Sequence, residues 1–179
     1  RHVSLLVDLA DRLGKDADLD WTVLAPANEP IFTTGNESIW YNHQKALIPA
    51  MRAVAPGLVL ISMAHDWQGI DATLWSLRTP FADDRVIVDV HFYEPMPVSH
   101  PKEGEEAAVT YPGLYETWRK KGVPELWDKA KIAGLFTEIA AWRDQHGVFV
   151  HCSEFGTKCS VPEAARAAYI GDVASILKG

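Results

Sequence analysis

The sequence has few cysteines, no excess of positive charge and no apolar run of membrane-spanning length. Only Cys152 and Cys159 are present among 179 residues, so a disulfide-dense scaffold is excluded. One disulfide between them and two free thiols are both open alternatives. Lysine and arginine number 17 against 24 acidic residues, a net charge of −7. This balance argues against a nucleic-acid partner, because phosphate binding depends on a basic surface. The missing apolar run argues against a membrane partner.

We recognise no signal-peptide pattern, internal repeat or interdomain linker in the sequence. It begins at Arg1 and passes almost directly into a helical pattern, which we interpret as an internal start. Hydrophobic residues make up 47% of the chain and charged residues 23%, a composition typical of a globular protein with one sizeable core. We therefore predict one domain, or part of one.

Helix and strand patterns alternate along the chain. Apolar residues at helical or strand spacing predict four helices and four strands. The predicted helices cover 3–14, 38–54, 124–146 and 162–177, and the predicted strands cover 21–25, 58–62, 86–90 and 147–152. A long irregular stretch over 96–118 is expected to form a functional or mobile loop. The alternation predicts an α/β fold with a parallel sheet covered by helices. Polar, aromatic-rich turns follow the strands, as they do on the catalytic face of a (β/α)8 barrel.

Two carboxylates follow predicted strands in short, unusual settings. Glu29 lies in Ala27-Asn28-Glu29-Pro30, and Glu154 lies in Ser153-Glu154-Phe155-Gly156. The carboxyl ends of parallel barrel strands share one face, where catalytic residues gather. Glycoside hydrolysis needs such a pair, because one acid must hold a proton for the leaving oxygen while the other is ionised. We therefore predict that Glu29 and Glu154 are catalytic.

Other polar and aromatic residues also follow the predicted strands. His91 and Tyr93 have the same parity, so their side chains should point to one side, where they could hydrogen-bond the carboxylates. His65 and Trp67 follow the strand over 58–62. Trp67 is the first candidate to stack on a sugar ring, with Trp40 and Trp118 behind it. Asn36-Glu37-Ser38 forms an N-glycosylation sequon, which carries little weight.

A metal site is an alternative interpretation. His65, Asp66 and His91 offer ligand types that hold zinc in barrel enzymes. Asp89, however, lies in the apolar part of its strand, and no cysteine cluster or paired-histidine motif supports such a site. We predict no cofactor and no metal.

These motifs resemble those of the retaining (β/α)8 glycosidases, and most of all glycoside hydrolase family 5. Ala27-Asn28-Glu29-Pro30 is similar to the segment after the fourth barrel strand, which implies that Asn28 orients the substrate and Glu29 is the acid/base. The segment from His91 to Pro95 is similar to the His-x-Tyr segment after the sixth strand. Glu154-Phe155-Gly156 is similar to the nucleophile segment after the seventh. His65 and Trp67 fall where the fifth strand ends.

The resemblance spans the chain, but the chain spans only part of such a barrel, which usually needs about 250 residues. It implies a partial catalytic domain over 1–179, with about strands 4 to 7 and their helices, and without strands 1–3 and 8. Two open sheet edges would then favour self-association.

The resemblance also implies a function and a location. The expected function is hydrolysis of a β-linked oligo- or polysaccharide, with β-1,4-glucan first, by a secreted or periplasmic enzyme. Three alternatives remain: an inactive carbohydrate-binding fragment, a metal-dependent barrel hydrolase, and an inverting glycosidase.

Overall fold

The computed structural model describes residues 1–31, 37–77, 79–117 and 120–178. Asn36 and Trp118 therefore lie outside the described residues. The helices are α1 (His2–Asp16), α2 (Glu37–Val54), α3 (Ile70–Ser76), α4 (Met96–Ser99), α5 (Lys129–His146) and α6 (Glu163–Leu177). The strands are β1 (Val23–Leu24), β2 (Val59–Met63), β3 (Val86–Phe92), β4 (Gly113–Tyr115), β5 (Glu125–Trp127) and β6 (Phe149–Phe155), and one 3-10 turn covers Glu106–Ala108.

The main sheet has the strand order β1-β2-β3-β6. β1 pairs parallel with β2, with Val23 opposite Val59. β2 pairs parallel with β3, with Leu60 opposite Val86. Parallel neighbours joined through helices are the βα units from which barrels and doubly wound sheets are built. The predicted α/β architecture is confirmed.

The chain divides into two compact units, one formed by Arg1–Val90 with Trp142–His151 and the other by His91–Ala141 with Cys152–Gly179. In the first unit, apolar side chains from α1, α2 and the β strands form one core. Its fully buried members include Leu47, Met51, Leu58 and Leu60. A Cβ on Gly14 would come within 2.9 Å of the Ala55 Cβ. Glycine at this position therefore permits the close approach of the end of α1 to the residue that follows α2.

Arg52 connects three segments of the first unit. Its guanidinium forms a two-point ion pair with Asp83, at 2.8 and 3.2 Å, and donates to the carbonyls of Ala55, Pro56 and Arg85. Burial alone would raise the pKa of Asp83, but hydrogen bonds from Arg52 and the Arg85 backbone, with their charges, hold it below its ordinary value.

The second unit packs α6 against the segment after β3. Tyr169 is fully buried, and its hydroxyl donates to the Glu94 carbonyl at 3.1 Å. Tyr111 packs edge-on against Tyr169 and donates to the Asp172 carboxylate at 2.9 Å. Burial raises the pKa of both phenols, and at Tyr111 the hydrogen bond to Asp172 raises it further. α6 thus holds the segment that follows β3.

Several predicted boundaries were wrong. Residues 125–127, predicted as helix, form β5 and pair antiparallel with β4, a partner that local periodicity cannot reveal. α5 begins only after Asp128, whose carboxylate accepts a hydrogen bond from the Lys131 N–H at 2.9 Å and caps the helix. The stretch over 96–118 contains α4, the 3-10 turn and β4 instead of irregular structure alone. α3 was not predicted.

Two further observations bear on the sequence predictions. No disulfide joins Cys152 and Cys159, which agrees with the second of the two alternatives given above. None of the helices within the described ranges combines the length and apolar character needed to cross a bilayer.

Candidate active site

Glu154 lies near the end of β6, inside the strand and not after it as predicted. β6 continues to Phe155, because its alternation of more and less exposed residues extends past Cys152. The Glu154 side chain is 38% exposed, so its carboxylate is accessible to a ligand. Its position at a strand end is where barrel enzymes place catalytic groups.

Two side chains meet the same oxygen of this carboxylate. The Tyr93 hydroxyl donates to Oε2 of Glu154 at 3.0 Å, and Nδ1 of His91 lies 3.4 Å from that oxygen. His91 is a β3 residue, because β3 runs two residues beyond its predicted end. A phenol donor and a buried imidazole on one oxygen fix the orientation of the carboxylate.

Tyr93 is held in turn by the short helix α4. The Ser99 hydroxyl donates to the Tyr93 carbonyl, and the His100 ring packs edge-on against the Tyr93 ring, with centroids 4.9 Å apart. Sequence reasoning missed Ser99 and His100, since they lie in the stretch predicted to be irregular. A Pro-initiated helical turn at Pro95–Pro97 was the available indication.

Glu29 lies in the first unit, and its backbone is in the left-handed region with φ 44°. Such a conformation costs a residue other than glycine about 1–3 kcal/mol and persists only where the surroundings enforce it. Here the Glu29 N–H donates to Oε1 of Gln68 at 2.8 Å. The neighbouring Asn28 is exposed. Strain of this kind is concentrated at active sites.

The residues after β2 divide into buried and exposed groups. His65 is buried, with its ring edge-on to Trp75 at 5.1 Å, and neither of its ring nitrogens has a hydrogen-bond partner among the described residues. Trp67 is 58% exposed, so its ring face is available for stacking. Trp40 is buried and donates from its indole N–H to the Met63 carbonyl; it has no free face for a sugar, and its prediction as a platform was wrong.

The structure gives little support to the metal alternative at His65. Among the residues that the structure describes, no group of three potential ligands includes His65 or Asp66. Asp89 accepts a hydrogen bond from Nε2 of Gln68 at 3.0 Å and lies 3.2 Å from Nδ1 of His151. Its burial in β3 is thus accounted for by these polar contacts.

Comparisons with known proteins identify relatives of this chain and structures with the same fold. Cellodextrinase A of Ruminococcus flavefaciens is 24% identical over 157 residues, which are 87% of this chain and 44% of that protein. The crystal structure of endoglucanase Cel5A from the hyperthermophilic Thermotoga maritima superimposes with a TM-score of 0.82 at 21% identity, over 99% of this chain and 54% of that one. A structure of the same enzyme in complex with mannotriose gives a TM-score of 0.80 at 20% identity, with the same coverage.

These likenesses identify the fold as part of a (β/α)8 barrel. The chain spans about half the length of the relatives it matches. The model of the cellulase family, glycosyl hydrolase family 5, matches residues 4–176, which is nearly the whole chain. The chain therefore belongs to the cellulase family, glycosyl hydrolase family 5.

Proposed function

We propose that this chain supplies the catalytic carboxylates of a retaining β-glycosidase. The observation that carries the proposal is the setting of Glu154. Its carboxylate is accessible, lies at a strand end, and is oriented through one oxygen by Tyr93 and His91. A carboxylate that is accessible and fixed in direction suits a nucleophile, which must attack the anomeric carbon from one side.

In the proposed mechanism, Glu154 attacks the anomeric carbon and the bond to the leaving oxygen breaks. Glu29 gives its proton to that oxygen, so the leaving group departs as a neutral alcohol. Glu29, now ionised, takes a proton from water, and the resulting hydroxide displaces Glu154 from the sugar. Two inversions give net retention. Retention requires carboxyl groups about 5–5.5 Å apart, whereas an inverting enzyme needs about 6.5–9.5 Å.

The remaining predicted residues are proposed to bind the sugar. Asn28 would hydrogen-bond the 2-hydroxyl, a contact that strengthens in the transition state. His91 would orient both the sugar and the Glu154 carboxylate. The exposed ring of Trp67 would stack on a sugar face. His65 is buried, so it would influence sugar binding only through the residues next to it.

The proposed substrate is a β-1,4-glucan. The names of the relatives, cellodextrinase and endoglucanase, favour this choice. The mannotriose complex of the Thermotoga enzyme makes β-mannan the next candidate. A polymer of this size cannot enter a cell intact, so we propose that the protein acts outside the cytoplasm. No cofactor is needed, since both steps use carboxylates.

We also propose that 1–179 corresponds to about strands 4 to 7 of the barrel, as part of a catalytic domain. The coverage of about half of the Thermotoga chain supports this extent. A piece of this kind could bind oligosaccharide without hydrolysing it, which is the second candidate function.

The first experiment measures hydrolysis of chromogenic aryl β-cellobiosides and β-mannosides together with binding of cellotetraose. Glu154→Gln should abolish turnover, while Glu103→Gln, an exposed glutamate, should not affect it. Proton NMR of the first-formed product should show the β-anomer. A first-formed α-anomer would establish inversion. Binding without turnover in the unmodified chain would establish the second candidate function.

Glu29 has a test of its own. Glu29→Gln should slow hydrolysis of substrates with poor leaving groups far more than that of dinitrophenyl glycosides, whose leaving group needs no protonation. An equal loss on both kinds of substrate would contradict the acid/base assignment.

A further inference from the structure

The turn after β2 has an unusual backbone. Asp66, Trp67 and Gln68 follow one another with φ values of 63°, 62° and 55°. Residues other than glycine visit this left-handed region singly, because the Cβ then approaches the following carbonyl. Three in succession must be stabilised by contacts made elsewhere, and strain of this kind points to a functional constraint.

The turn directs Trp67 outward and Gln68 inward. The Gln68 side chain is 1% exposed, and both ends of its carboxamide are bonded. Oε1 accepts from the Glu29 N–H at 2.8 Å, and Nε2 donates to Oδ2 of Asp89 at 3.0 Å. A second bond, from the Asp66 N–H to the Pro30 carbonyl at 2.9 Å, joins the same two loops.

The orientation of the carboxamide follows from the chemistry of its partners. The backbone N–H of Glu29 can only donate, so it must face the amide oxygen. An ionised Asp89 can only accept, so it must face the amide nitrogen. Asp89 is buried in β3, and its other oxygen lies 3.2 Å from Nδ1 of the exposed His151. The series Glu29–Gln68–Asp89–His151 thus has one consistent set of donors and acceptors.

We propose that Gln68 is a positioning residue for Glu29: its carboxamide, oriented by Asp89, fixes the strained backbone from which the acid/base projects. This inference rests on the proposed role of Glu29. A buried amide with both ends bonded is well suited to the task, because leaving either end unpaired would be costly. The direction of the Glu29 side chain, on which proton transfer to the leaving oxygen depends, follows from that backbone.

Gln44 offers a matched control in the same unit. It is also fully buried, and its carboxamide also bonds at both ends, to the N–H and carbonyl of Met63 at 3.0 and 2.9 Å. Methionine at either position keeps the length of the side chain and removes the polar contacts. Both variants should lower the melting temperature, but only Gln68→Met removes a partner of Glu29.

The first readout is amide hydrogen exchange followed by NMR on the whole chain. Gln68→Met should speed exchange at the Glu29 N–H by about tenfold or more relative to Gln44→Met, the factor expected for one lost hydrogen bond to a buried acceptor. Exchange at Glu29 that is equally fast in the two variants would overturn the proposal, whether or not the chain is active.

A swap of donor and acceptor tests the role of Asp89. Gln68→Glu alone places two carboxylates side by side and should disturb the turn. Adding Asp89→Asn supplies an amide that donates to the introduced carboxylate and still accepts from His151. The double variant should restore slow exchange at Glu29. If it exchanges as fast as Gln68→Glu alone, the proposed orientation is wrong.

The catalytic readout separates this inference from the proposed function. Gln68→Met should lower kcat more for a poor leaving group than for a dinitrophenyl one, as Glu29→Gln does, and Gln44→Met should lower both equally. If Glu29→Gln leaves hydrolysis unchanged, the proposed function fails. If Glu29→Gln shows the leaving-group effect and Gln68→Met does not, the positioning role alone fails.

Discussion

The Tyr93 hydroxyl donates a hydrogen bond to Oε2 of Glu154 at 3.0 Å, which ties the residue after β3 to the end of β6. Tyr93→Phe removes this donor and keeps the ring. A hydrogen bond to a charged group contributes about 1.5–3 kcal/mol, so we expect kcat to fall about 10- to 100-fold. Steady-state kinetics on an aryl cellobioside would measure this effect. Tyr115→Phe is the control, because among the residues that the structure describes the Tyr115 hydroxyl bonds only to the nearby Thr110 backbone. An equal loss in both variants would contradict the prediction.

The ion pair between Arg52 and Asp83 should make stability depend on pH. The pKa of Asp83 is held below its ordinary value in the folded state. Its contribution is therefore complete above the unfolded pKa of about 3.9 and is lost as pH falls through the folded value. Denaturant unfolding between pH 7 and pH 3 should show a steeper loss of unfolding free energy than in Asp83→Asn. Parallel curves for the two proteins would refute this assignment.

Arg52 itself should contribute more than a surface arginine. Arg52→Lys loses the two-point geometry and several carbonyl contacts, and we expect a loss of about 1–3 kcal/mol in unfolding free energy. Arg143→Lys, at a pair with exposed Asp144, should change stability much less, because water and salt screen an exposed ion pair. Urea denaturation of both variants measures the difference, and a cost at Arg52 no larger than at Arg143 would count against the prediction.

Tyr111 and Tyr169 should resist ionisation. Burial raises the pKa of both above the ordinary value, so they stabilise the fold fully below the unfolded pKa of about 10, and this contribution is lost as pH rises above it. An absorbance titration near 295 nm should show both phenols ionising together with loss of the fold. In Tyr169→Phe, the absorbance change that accompanies loss of the fold should be smaller by the contribution of one phenol. Ionisation of these phenols in a chain that is still folded would show the prediction to be wrong.

We expect two copies of the chain to associate through the exposed edge of β1. β1 ends the strand order. Val23 in this strand is 56% exposed, and Trp21 just before it is 88% exposed. Val23→Lys places a charge on this edge, a device by which proteins prevent strand pairing. Sedimentation velocity should show less association in Val23→Lys than in the unmodified chain, while Val123→Lys, an exposed valine in the other unit, should associate as before. No association of the unmodified chain at any concentration would dismiss the idea.

Much of the local structure could be predicted from periodicity. The helices near 3–14, 38–54 and 162–177 and the strands near 58–62 and 86–90 are confirmed within a few residues. Apolar spacing records which face of an element is buried, and that face is fixed by the element's own residues. The short strands β4 and β5 were missed because each exists only through pairing with the other.

The alternation of helices and strands, the family of the chain and the choice of Glu29 and Glu154 as candidate catalytic residues all follow from the order of the amino acids. That order could not determine how the side chains around them are held. Tyr93 and His91 contact one oxygen of Glu154, and the left-handed backbone at Glu29 is bonded to Gln68. These contacts join residues that are 39 to 63 positions apart in the sequence. Contacts over such separations form only when the strands are brought side by side, so the tertiary structure alone decided them.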